Sequence, residues 1–129
     1  MIVYLDTSVV LAQLFSEDRS PPDAFWAQRF VASRLLEYEV LNRVHACHGF
    51  ETHGSDACRL LERVNLVEMS TEVLERALSP FPKPVRTLDA LHLATLVFLR
   101  GRGLEVQLAT YDGRLMSAAV GLGFELAPC

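Results

Sequence analysis

Short apolar runs alternate along this chain with longer stretches of helical period. Ile2-Val3-Tyr4-Leu5 is short, apolar and β-branched at two positions, the pattern of a buried strand. Thr7 or Ser8 is placed to cap a helix from Val9 to about Phe15. A polar loop with two prolines fills 16–23, a short helix is expected over 24–28, and a second strand over 29–32. Ser33 then reads as a cap. Leu35, Leu36, Val40, Leu41 and Val44 form an apolar helical stripe that runs to about His48. Gly49 and Gly54 are expected to bracket a turn, followed by a helix over 56–64, a strand over 66–69 and a helix over 71–78 capped by Thr71.

The segment 79–86 carries three prolines between positions 80 and 84 and is expected to be an ordered loop. Thr87 is placed to cap a long helix to about Arg100, ended by Gly101 and Gly103. A fourth strand over 105–110, a helix over 113–120 and a last strand over 124–127 complete the reading. Strands that alternate with helices imply a parallel sheet covered by helices on both faces. In such sheets ligands bind beyond the carboxyl ends of the strands.

Composition narrows the class. The 129 residues are half apolar, enough for one domain with a real core and too many for a disordered chain. No stretch approaches the roughly 18 consecutive apolar residues of a membrane span. Asp6 interrupts the first apolar run, and no basic region precedes it, so no secretory leader is expected. Three cysteines without C-x-x-C spacing fit a reduced, cytoplasmic protein. Formal net charge is −4, from 16 acidic against 12 basic side chains, which argues against tight non-specific duplex binding by a basic surface. All the basic residues but Lys83 are arginine, the side chain better shaped for phosphate.

Four acids stand at the joints between elements: Asp6 ends the first strand, Glu39 lies inside the second long helix, Asp89 opens the long helix after the proline loop, and Asp112 follows the fourth strand. They equal the whole acidic excess. Each has an ordinary explanation alone. Asp6 and Asp112 suit helix starts, Asp89 suits a first turn, and Glu39 pairs with Arg43 at i+4. Together, at joints expected to share one sheet edge, they form a set of hard oxygen donors. Such a set, with no compact cluster of His and Cys, favours magnesium or manganese over zinc. His45, Cys47, His48 and His53 fit no compact zinc spacing. The natural partner of convergent carboxylates and a hard cation is a phosphodiester, hydrolysed in line. Ser8 and Thr110 are placed to hydrogen-bond these groups, and Arg86 to meet a phosphate. His92 reads as a packed helix residue, Arg59 and Arg63 as an exposed helix face, and Phe25 and Trp26 as core or contact residues.

Four segments carry a resemblance: Val3-Tyr4-Leu5-Asp6-Thr7-Ser8, Ser33 to Arg43, Arg86-Thr87-Leu88-Asp89-Ala90-Leu91-His92-Leu93-Ala94, and Ala109-Thr110-Tyr111-Asp112-Gly113-Arg114-Leu115. In order and spacing they resemble the motifs of PIN-domain ribonucleases, in particular the toxins of bacterial VapBC toxin–antitoxin pairs. The resemblance spans the chain, so residues 1–129 are expected to form a single PIN-like domain of three-layer α/β/α build around a parallel sheet of about five strands. It implies a magnesium- or manganese-dependent endoribonuclease that leaves a 5′-phosphate and a 3′-hydroxyl. Asp6, Glu39, Asp89 and Asp112 would be the catalytic and metal-binding set, Asp112 directly or through water. It also implies an antitoxin that covers the site, and a homodimer. Glu37 competes with Glu39 for the second acidic position, and the spacing from Ser33 favours Glu39. The alternative is a catalytically silent PIN-like module that binds RNA or protein without cutting.

Overall fold

The computed structural model describes residues 1–47 and 50–129. Five strands, β1 (Ile2–Leu5), β2 (Arg29–Ser33), β3 (Val64–Val67), β4 (Val106–Ala109) and β5 (Glu125–Leu126), form one sheet in the order β3-β2-β1-β4-β5, with every pairing parallel. Six α-helices flank it: α1 (Thr7–Leu14), α2 (Leu35–Ala46), α3 (Phe50–Glu62), α4 (Thr71–Leu78), α5 (Thr87–Gly101) and α6 (Gly113–Gly121). A 3₁₀ turn over Asp23–Ala27 leads into β2.

The period-2 alternation of the inner strands sorts their side chains between two cores. Val3 and Leu5 of β1, and Phe30 and Ala32 of β2, pack with Val9, Leu36, Val40 and Leu61 from α1, α2 and α3. Tyr4 and Val31 point the other way, into a core with Leu93 and Leu96 of α5 and Leu115 of α6. The resulting sandwich has helices on both faces, as the alternation of elements implied. Gly103 (φ 82°) and Gly123 (φ 88°) sit in the left-handed region just past α5 and α6, where a residue without Cβ turns the chain back toward a strand.

Several boundaries differ from the sequence reading. Gly54 does not break the chain: it is buried inside α3, which begins at Phe50. Gly49 and His48 lie outside the described residues. β3 starts two residues earlier than read, at Val64. The cap of α4 is Ser70, whose Oγ accepts from Val73 N at 3.3 Å, and Thr71 is its first helical residue. Thr87 likewise begins α5 without capping it, since the cap position is Arg86. Ser33 ends β2, yet its buried Oγ accepts from Leu35 N at 3.1 Å and thereby serves the start of α2. No helix among the described residues is long and apolar enough to cross a membrane.

The chain leaves β1 for β2 on one side and returns through β4 on the other. The crevice between the carboxyl ends of β1 and β4 is therefore a topological switch point, where open α/β sheets bind their ligands. Asp6 N donates to Ala109 O at 3.0 Å and closes the floor of that crevice.

Candidate active site

Asp6 is the first residue beyond β1. It has extended backbone and is only 7% exposed. Its Oδ2 accepts from three donors: Ser8 N at 3.3 Å, Ser8 Oγ at 2.6 Å and Thr110 Oγ1 at 2.8 Å. The helix-cap role is thus real, but it uses one oxygen only. Oδ1 takes no hydrogen bond from the described residues, and no buried side-chain oxygen among them lacks a partner, so Oδ1 is reached by solvent. The two hydroxyls are themselves anchored. Ser8 Oγ accepts from Tyr111 N at 2.9 Å, and Thr110 Oγ1 from Asp112 N at 2.9 Å.

Glu39 is held in the same fashion. Its Oε1 accepts from Thr7 Oγ1 at 3.0 Å and faces His92 Nε2 at 2.7 Å. Oε2 takes no hydrogen bond from the described residues. Glu37 is turned away, into an ion pair with Arg34 at 3.0 Å. Of the two competing acids, Glu39 is the one that α2 directs at the crevice. Its Oε1 is held by Thr7 and His92, and no ion pair links it to Arg43 among the described residues.

Asp89 and Asp112 form a more open side. Asp89 lies half-buried in the first turn of α5, and its carboxylate has no hydrogen bond from the described residues. Its pKa is raised, first by burial, then by the charges of Asp112 and Asp6. His92 and Arg86 pull the other way with less effect. Asp112 is exposed and caps α6, with Oδ1 accepting from Arg114 N at 2.9 Å.

His92 is 2% exposed. Burial works against its charged form, but the hydrogen bond to Glu39 and the charges of Glu39, Asp6 and Asp89 together outweigh it, so its pKa is raised. Burial also pushes the Tyr4 phenol well above its ordinary range, so it stays protonated.

Asp6, Asp89 and Asp112 therefore feel one another across the end of the sheet, and Glu39 joins them through Thr7 and His92. The donor set is all oxygen and suits a hard divalent cation. Among the described residues no three His, Cys, Asp or Glu side chains stand close enough to hold one ion in common. A cation that keeps several waters fits this spacing, with one or two carboxylates in direct contact and the others reached through water. His48, one of the residues weighed for zinc, lies outside the described residues.

Known proteins share this fold and part of this sequence. The model of the PIN domain family matches residues 3–120. The chain belongs to the PIN domain family. Ribonuclease VapC35 of Mycobacterium tuberculosis is 30% identical over 128 residues, covering 94% of this chain and 92% of the relative. Ribonuclease VapC47 of the same species is 31% identical over 132 residues, 98% and 96% of the two chains. A structure described as a toxin–antitoxin complex from Klebsiella pneumoniae superposes with a TM-score of 0.69 over 92% of this chain and 93% of that one, at 21% identity, and supports the fold.

In this PIN domain, each sequence-predicted site residue reaches the crevice between β1 and β4 or its rim. Ser8 and Thr110 meet at Asp6, their hydroxyls 3.4 Å apart. Arg86 borders Asp89 in a cleft of about 550 Å³ that Lys83, Arg114 and Ser117 also line. The sequence reading left out Lys83 and Arg114 as cleft residues. Lys83 stands in the proline loop and Arg114 two residues after Asp112, and no spacing in the sequence placed either beside Asp89. Neither Arg86 nor Arg114 has an ion-pair partner among the described residues, although Arg34 and Arg59 do. Arg59 is paired with Asp56, and Arg63 donates to Trp26 O, so neither takes part in the site. Phe25 is core and Trp26 packs against it. The reading also placed Thr7 and Tyr4 only as cap and core, and missed both as parts of the site's wiring.

Proposed function

We propose that this PIN domain is a divalent-metal-dependent endoribonuclease, the toxin of a bacterial toxin–antitoxin pair. The observation that carries it is the convergence of Asp6, Asp89 and Asp112 beyond one sheet edge, where burial first and then the charges of Asp112 and Asp6 raise the Asp89 pKa, in a chain of the PIN domain family. Relatives of about 30% identity over nearly the whole chain are named ribonucleases, which supports the reading.

In this reading Asp6 and Asp89 contact the ion, Asp112 and Glu39 reach it directly or through water, and magnesium or manganese is the ion of choice. The bound cation would offset phosphate charge and acidify the water that attacks the phosphodiester. The chain's own part is orientation. Ser8 and Thr110 hold Oδ2 of Asp6 and leave Oδ1 to the ion. Lys83, Arg86 and Arg114 give the RNA backbone a cationic wall beside Asp89, which lets an acidic protein bind a polyanion locally. The products are a 5′-phosphate and a 3′-hydroxyl.

The same reading makes residues 1–129 one functional PIN-like unit, acting in the cytoplasm, with an antitoxin as protein partner and a second copy in a homodimer. An apolar groove of about 630 Å³ runs beside α4, lined by Leu74, Phe81, Pro84 and Leu91, with Leu78 standing 87% exposed. Surface of this kind supports a protein contact.

The test is cleavage of total cellular RNA by the purified, partner-free protein with magnesium, with manganese and with chelator, beside Asp89→Asn. Discrete fragments that require metal and disappear in the variant are expected. Full activity in a folded Asp89→Asn protein overturns the assignment. Absence of cleavage in either metal, on every RNA class, favours a module that binds without cutting.

A further inference from the structure

One buried group near the crevice is not used by that mechanism. Tyr4, wholly buried on β1, has its hydroxyl 2.8 Å from His92 Nδ1, and the same oxygen accepts from Ser33 N at 3.1 Å. On the far side of the ring, His92 Nε2 stands 2.7 Å from Glu39 Oε1. A continuous chain thus runs from the end of β2 through β1 and α5 to the acid on α2.

The hydrogen positions follow from what each atom can do. The phenol oxygen accepts from Ser33 N and also has the Thr95 side chain as a partner, so its own proton can serve a neutral ring or turn to Thr95 when the ring is charged. With a neutral imidazole, Tyr4 donates to Nδ1, which leaves the hydrogen on Nε2. With an imidazolium, both nitrogens carry hydrogen. In either state Nε2–H donates to Glu39 Oε1. Thr7 Oγ1 donates to the same oxygen, so Oε1 is filled and Oε2 is the oxygen left over.

We propose that Tyr4 and His92 are positioning residues for Glu39: the buried Ser33–Tyr4–His92 chain fixes the ring so that it holds Oε1 and presents Oε2 to the divalent cation or its water. This rests on the nuclease reading above. Groups that orient a metal-binding side chain from behind typically matter 10–100-fold in metal affinity. The arrangement repeats, on Glu39, what Ser8 and Thr110 do for Asp6.

Two substitutions at one position separate positioning from packing. In His92→Gln the side-chain amide nitrogen falls near the place of Nε2 and keeps the donor to Glu39. In His92→Asn it falls near Nδ1, keeps a contact with Tyr4 and loses Glu39. Binding of Mn²⁺ by calorimetry, thermal unfolding in chelator, and RNA cleavage as a function of Mn²⁺ concentration are measured for both, beside Thr7→Val, a half-buried change expected to fold. His92→Asn is expected to bind Mn²⁺ about 10–100-fold more weakly, with cleavage recovered at saturating metal. His92→Gln is expected to keep most of the affinity, and Thr7→Val to show a smaller loss than His92→Asn. Equal Mn²⁺ affinity in folded Asn and Gln variants, whether both unchanged or both equally weakened, overturns the inference. Unchanged affinity in Thr7→Val removes the filled-Oε1 argument and overturns it too. A wild-type protein that neither binds Mn²⁺ nor cleaves RNA sinks the nuclease reading first and this one with it. A wild-type protein that does both while the two variants fail to separate sinks only this one.

Discussion

The two sides of the crevice are built differently. On one, Asp6 and Glu39 each have one oxygen filled by donors from the chain, and three of those donors, Ser8, Thr110 and His92, are tied in turn to backbone or a buried side chain. On the other, Asp89 has no hydrogen bond from the described residues and Asp112 only the cap bond from Arg114 N. The wired side is oriented before any ligand arrives. The open side carries charge repulsion and unpaired cations, which an ion and a polyanion would relieve. The difference teaches that acids in one site need not respond alike to mutation: on the wired side a carboxylate supports the fold, and on the open side it strains it.

The largest effect should come where both roles coincide. Asp6→Asn is expected to abolish cleavage and also to destabilise the protein by about 1–3 kcal/mol, because three donors lose a charged acceptor. RNA cleavage and urea unfolding measure the two. A protein that loses cleavage with stability unchanged would show that Asp6 is not wired as described.

Thr110→Val tests the wiring without touching the acid. The hydroxyl both donates to Asp6 Oδ2 and accepts from Asp112 N, in a position 3% exposed. Its loss is expected to weaken Mn²⁺ binding about 10–100-fold and to cost about 1 kcal/mol, since the part-buried Asp112 N–H loses its partner and Asp6 Oδ2 one of its three donors. Metal titration and thermal unfolding of the same sample check both numbers.

Arg114→Ala sharpens the open side. The fold should be unaffected, because the guanidinium makes no ion pair among the described residues. RNA binding is expected to weaken across sequences, with the slope of log affinity against log salt shallower by about one. A salt slope equal to wild type would remove Arg114 from the cationic wall.

The fold was legible in the chain to a large degree, and for a physical reason. Buried parallel strands need apolar runs; Ile2–Leu5 is one throughout, and Val106–Ala109 is one but for the partly exposed Gln107. Gly54 misled because local propensity speaks against glycine in a helix by about 1 kcal/mol, while its buried place in α3 was decided by packing. Asp6, Asp89 and Asp112 were legible because each falls at a joint, and Glu39 through its spacing from Ser33. The wiring behind them was not. Tyr4 lies 88 residues from His92, and Glu39 lies 53 residues from it. No period or spacing links residues that only the sheet brings together. Tyr4 in particular looked like any apolar strand residue, since only its hydroxyl distinguishes it from core.

The smallest effect bears most directly on the contrast between the two sides, because its sign is opposite. The Asp89 pKa is raised in the folded protein, by burial and by Asp112 and Asp6. A carboxyl whose folded pKa lies above its unfolded value is penalised when ionised. The cost is therefore present at neutral pH and disappears as pH falls through the folded pKa. Asp89→Asn removes the charge while keeping the shape, so in chelator at neutral pH it is expected to unfold slightly higher than wild type, the gain kept small because solvent screens much of the repulsion at this half-buried position. The gain should fade as wild type is acidified and its own Asp89 becomes neutral. With Mn²⁺ added, the order should reverse, because wild type gains the stabilisation of a bound ion and the variant loses a ligand. A metal-free Asp89→Asn protein less stable than wild type would mean that Asp89, like Asp6, is held by the fold, and the contrast between the two sides would be gone.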